Sequence, residues 1–164
     1  MSYDEVLSAS EFAYIYLCFM SKYVFEERYY SEADATPEYF EILSHTVYDF
    51  ADRIVFLREH PRCSTFSVTE NFRRMEELCS KYEECAYLID LTGAEVPNAE
   101  TRRIINYKFQ NTPPNVKHVA FFSGKNFLIN TAARFVMYQT KLESFSVTKT
   151  QEQALEKIYK VLNG

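Results

Sequence analysis

The segment Ala86–Gln110, AYLIDLTGAEVPNAETRRIINYKFQ, constrains this chain more than any other. Four apolar residues, Ala86 to Ile89, run without alternation into Asp90, and a single glycine, Gly93, follows. A continuous apolar run of this length marks a strand buried on both faces, as in a parallel sheet. Pro97 then opens a segment with helical character, because its fixed φ suits a first helical turn. The unit is therefore a buried strand that hands over to a crossover helix.

Similar units surround it. Arg53–Arg58 reads as a strand, and Ser67-Val68-Thr69-Glu70 as a capping box. Behind that box Phe72, Met75, Cys79 and Tyr82 recur at helical spacing. Residues 97–110 form the next helix, and Pro113-Pro114 ends it because two prolines cannot continue a helix. Val119–Phe122 is a buried strand, and Ser123-Gly124-Lys125-Asn126 turns into a helix carrying Phe127, Leu128, Ala132, Phe135, Val136 and Met137. Phe145-Ser146-Val147 is a last short strand, and Thr150 with Gln153 caps a final helix. His45–Ala51 adds an edge strand antiparallel to 53–58. Strands alternating with helices predict an α/β fold with a mostly parallel sheet and flanking helices. At 164 residues one such domain is expected over 40–164, with residues 1–39 as an aromatic-rich N-terminal extension.

The extension is distinctive. Phe12, Tyr16, Phe19 and Tyr23 lie on one helical face, which favours a helix, although the same residue types also suit strands. Such a face calls for a cover, either this domain or a second copy. Eight acids and two bases lie within residues 1–40, so the rest of the chain is near neutral although the whole carries −5. That balance argues against nucleic acid, which needs Lys and Arg gathered on one surface. The acidic start does not resemble a secretory signal, and Phe12–Phe25 is too short to span a bilayer. A cytoplasmic protein without a membrane span is expected.

Cys18, Cys63, Cys79 and Cys85 contain no C-x-x-C pair, and buried free thiols are the expected state. His60 and Cys63 are close in sequence, but two ligands do not make a zinc site, so no metal and no other cofactor is expected. Asp90 ends a buried strand at the carboxyl edge of the sheet, where open α/β folds place ligands. Capping the following loop is its simpler role. Ser123 and Lys125 flank a strand-to-helix turn whose amides could contact an anion, but the phosphate-loop pattern is incomplete, because Asn126 stands in the Ser or Thr place. His45, His60 and His118 are scattered, and no local nucleophile motif accompanies them, so no catalytic residue is expected.

The order of units and the strand end Ile89-Asp90-Leu91-Thr92-Gly93 resemble the STAS domains of bacterial anti-sigma-factor antagonists and the small SpoIIAA-like proteins. These share their fold with CRAL-TRIO lipid-transfer domains, and the likeness spans about residues 40–164. In such antagonists an Asp-Ser pair opens the next helix, and phosphorylation of that serine breaks partner binding. Here Asn98 and Ala99 fall at those places, and alanine has no hydroxyl. The resemblance thus implies an unswitched, noncatalytic protein-interaction or regulatory domain. Its partner surface would lie along Asp90, Thr92, Glu95, Asn98, Thr101 and Arg102, with a protein partner and self-association through the leading segment. The alternative it implies is a small-ligand or lipid-binding module of CRAL-TRIO type, in which the aromatic excess lines a pocket.

Overall fold

A computed structural model describes residues 28–140, 142 and 144–164. The helix expected over Phe12–Tyr23 lies outside the described residues. Chain order is a 3₁₀ turn (Glu32–Asp34), α1 (Pro37–Thr46), β1 (Val47–Ala51), β2 (Ile54–Arg58), α2 (Thr65–Cys79), β3 (Cys85–Asp90), α3 (Ala99–Gln110), β4 (Val116–Phe122), α4 (Phe127–Thr140), β5 (Phe145–Thr148) and α5 (Gln151–Leu162).

The five strands lie in sequence order, β1-β2-β3-β4-β5. β1 runs antiparallel to β2, and every later neighbour is parallel. The fold class expected from the alternating pattern is therefore the one observed, and the antiparallel edge strand is present. All six β3 residues are buried, because helices cover both faces of this central strand.

Sequential strand order has a consequence. Right-handed crossovers that always step in the same direction place their helices on the same face. α2, α3 and α4 accordingly share one face, over Val55, Leu57, Tyr87, Ile89, Val119 and Phe121. α5 follows the last strand and crosses to the other face. There Ala154, Ile158 and Leu162 meet Ile54, Phe56, Leu88 and Ala120. Strand parity separates the two sets, since successive side chains point to opposite faces. α5 is tied back to the β1–β2 turn by Arg53, whose guanidinium donates to Leu162 O at 3.2 Å and Asn163 Oδ1 at 3.0 Å.

Several local signals hold with adjustments. Thr150 caps α5 by accepting from Gln153 N. Asn126 accepts from Ile129 N at the start of α4. The capping box of α2 lies three residues earlier than expected. Ser64 Oγ accepts from Ser67 N at 3.0 Å, and Ser67 Oγ accepts from Ser64 N at 2.8 Å. Ser67 thus answers Ser64 as the third helical residue and is not itself the cap. Helix α3 begins at Ala99, with Asn98 as cap and Pro97 just before it.

The expectation of free cysteines is corrected at two positions. Cys79 at the end of α2 and Cys85 at the start of β3 form a disulfide across the short connection, with Cα atoms 6.1 Å apart. Cys63 is a buried free thiol. Among the described residues no helix is long and apolar enough to cross a membrane.

Candidate functional site

The three-helix face does not close over the carboxyl ends of the strands. A cavity of about 550 Å³ opens there, between α3, α4 and the β3–α3 loop. Its floor is the last inward residue of three strands, Leu57, Ile89 and Phe121. Phe72 of α2 and Ile105 and Phe109 of α3 form one wall, and Ile129, Val136 and Met137 of α4 form another. The space exists because Ala94, Ala132 and Ala133 offer only methyl groups along it.

The rim is apolar as well. Phe127, Leu128 and Phe135 line the open side and are 78%, 70% and 61% exposed. Val96 joins them from the loop, and Tyr138 continues the same exposed surface at 72%. Helix α4 therefore has one apolar side on the sheet and, beside Thr131, Arg134 and Gln139, a second group of large apolar side chains in solvent. Clustered exposed apolar side chains of this size are the mark of an interaction surface.

Polar groups in the cavity are few. Glu59 continues the inward row of Val55 and Leu57 just beyond the end of β2. Its Oε1 accepts from His60 N at 2.9 Å and from Asn71 Nδ2 at 3.1 Å. Burial pushes its carboxyl up to about 7, against the lowering effect of those two bonds. Cys63 lines the same wall. Burial, reinforced by the Glu59 carboxylate, pushes its thiol well above the ordinary range, so it stays a neutral thiol. His60 lies behind them, stacked on Tyr39 with ring centroids 6.1 Å apart and against Tyr30 at 5.1 Å. Burial lowers it to about 3, which keeps the imidazole neutral.

The residues expected to form a partner surface fall into three places. Glu95 and Arg102 reach the cavity mouth. Glu95 pairs with Arg62 Nε at 3.4 Å, and Arg102 Nη1 donates to Pro97 O at 2.9 Å. Asp90 and Thr92 belong to the opposite, α5 face. Asp90 Oδ1 accepts from Thr92 N at 2.9 Å and from Thr92 Oγ1 at 2.7 Å, and its Oδ2 accepts from Arg58 Nε at 3.2 Å. This is loop capping by a nearly buried carboxylate, the simpler of its two expected roles. Asn98 and Thr101 are joined as a helix cap, with Thr101 N donating to Asn98 Oδ1 at 2.9 Å.

Ser123 is buried and Lys125 is exposed. The Ser123 and Gly124 amides donate to Thr148 O and Lys149 O, and the Asn126 amide donates to Ser123 O, so these three donors of the turn are already bonded. His118 is buried on the α5 face, where its ring bridges the hydroxyls of Ser144 at 2.6 Å and Ser146 at 2.9 Å. Among the described residues no group of three or more His, Cys, Asp or Glu is placed to hold a metal ion.

Sequence reasoning did not single out Glu59 or the inner face of α4 as a site. Strand parity held the signal for Glu59, because an acid two places after Leu57 must face the same way unless the chain turns first. No protein-family model matches this chain, and comparison with curated proteins and with solved structures gives no significant match.

Proposed function

We propose that this chain is a noncatalytic binding domain that holds an apolar small molecule between α3 and α4. The observation that carries the reading is the cavity of about 550 Å³, apolar on floor and walls and open through an apolar rim. Ligand pockets range over about 300–1,000 Å³ and are mostly hydrophobic with a few placed polar groups, and this cavity fits that description. Its one titratable wall thiol, Cys63, is held neutral, which suits containment better than nucleophilic chemistry. The resemblance to SpoIIAA-like and CRAL-TRIO domains agrees with a binding role, and the cavity favours the small-ligand alternative over the protein-interaction reading.

A specific observation favours a second reading. Phe127, Leu128, Phe135 and Tyr138 form a solvent-facing apolar strip that a protein partner could cover. In that case the STAS-like expectation of a regulatory interaction domain holds, with the surface on α4 and not along the β3–α3 loop.

A neutral naphthyl fluorophore titrated into the full chain separates the two. The expected result is saturable binding of one probe per chain. Ala133→Trp, which drives an indole into the cavity from α4, should weaken it about tenfold or more while the far-ultraviolet circular dichroism is unchanged. Binding that is unsaturable, or indifferent to Ala133→Trp, contradicts the cavity reading.

A further inference from the structure

Among the described residues, the cavity holds an acid with no cation paired to it. Glu59 faces the cavity by strand parity, and only one of its carboxylate oxygens, Oε1, receives hydrogen bonds among the described residues. The surrounding cations are committed elsewhere. Arg58 pairs with Asp90 on the opposite face of the sheet, Arg62 pairs with Glu95 at the surface, and Arg102 turns its guanidinium to Pro97 O at the mouth. The titratable groups facing Glu59 from neighbouring elements are Cys63 and His60 in its own loop and Tyr39 of α1, and each is held neutral by burial. An acid in an apolar enclosure raises its own protonation unless a positive group arrives to pair with it.

We propose that the cavity selects an amphiphile with one cationic amine end, the hydrocarbon lying along Ile105, Phe109 and the inner face of α4 and the ammonium donating to the free oxygen of Glu59. The inference rests on the cavity being a ligand site and adds the chemical class of its occupant. The ammonium would supply the hydrogen bonds and the charge that the protein leaves unmet at that oxygen. An anionic amphiphile would meet repulsion at the floor and could be held only at the rim, by Arg102.

Three ten-carbon probes, decylamine, decanol and decanoate, test this by calorimetric titration below their micelle concentrations at about pH 7.5. The full chain should bind decylamine about tenfold or more tighter than decanol, and decanol tighter than decanoate. Glu59→Gln should bring decylamine and decanol to within about threefold of each other. Decanoate binding tightest, or an amine preference that survives Glu59→Gln, overturns the assignment. Decanol binding without any amine preference in the native chain also overturns it, while leaving the cavity as a ligand site. Failure of all three probes to bind overturns both readings. The comparison in the native chain stands whether or not the variant folds.

Discussion

Ile158→Ala is expected to lower the unfolding free energy by about 3–4 kcal/mol without changing the affinity of the folded chain for an apolar probe. Ile158 is wholly buried at the centre of the α5 face, against Leu88, Ala120 and Ile54. Truncation there removes three carbons from a packed layer. The cavity left behind adds to the lost transfer energy, because the sheet beneath is fixed by its neighbours. Few residues share the load, since among the described residues α5 is the helix on that face while α1 to α4 pack on the other. Chemical denaturation followed by circular dichroism measures the loss, and probe titration in buffer measures the binding. Ala133→Trp is the mirror case, with binding weakened and the fold kept. If Ile158→Ala weakened probe binding as much as it weakened folding, the two faces would not be separate in function.

Glu59→Gln should reshape the dependence of stability on pH. Glu59 is raised from an ordinary 4.5 to about 7, so the native state holds a proton that the unfolded chain has released. Its contribution is fully present below about pH 4.5 and is lost as pH rises through about 7. His60 and His118 act in the opposite sense. Burial lowers them to about 3 and about 4, with Lys157 adding to the effect at His118. Their contribution is present above about 6.5 and is lost as pH falls. Between about pH 4.5 and 6.5 the unfolded chain holds two histidine protons and the native chain one glutamic proton. Stability therefore rises by about 1.4 kcal/mol per pH unit, the slope of one net proton. It peaks near pH 6.5 and then falls as Glu59 ionises. With the acid removed, the slope should double and the fall should vanish. The variant should gain about 3 kcal/mol on the native chain between pH 4.5 and pH 8. Urea denaturation at a series of pH values reads this directly, and parallel profiles for the two proteins would show that Glu59 ionises freely in the fold.

The layered α/β architecture was legible because its strands are buried on both faces. Ala86–Ile89 and Val119–Phe122 carry that property in composition alone, and Thr150 and Asn126 announce their helices by capping chemistry. α1 is not among the elements expected from the sequence, although Thr36-Pro37-Glu38 holds an N-cap, a proline at the first helical place and an acid in the first turn. The Cys79–Cys85 disulfide was not legible either, since spacing alone does not bring a helix end and a strand start within bonding reach.

The cavity is a property of assembly. Ala94, Ala132 and Ala133 are unremarkable in sequence and leave space only because α3 and α4 stand side by side over the same strand ends. Asp90 drew attention as a strand-terminal acid, yet parity turns it to the α5 face, where it caps Thr92 and meets Arg58. Glu59, one residue beyond its own strand, faces the open side. The chemistry at the edge of a sheet therefore follows the parity of the last residues more closely than their charge.

The most direct test is an isotope-filtered nuclear Overhauser spectrum of methyl-labelled full chain with unlabelled decanol. Cross-peaks from the alkyl chain to Ile89, Ile105, Ile129, Val136 and Met137 are the expected result, with none to Ile54, Ala154 or Ile158. Contacts confined to the α5 face, or no intermolecular contacts at saturating decanol, would contradict an apolar-ligand site between α3 and α4.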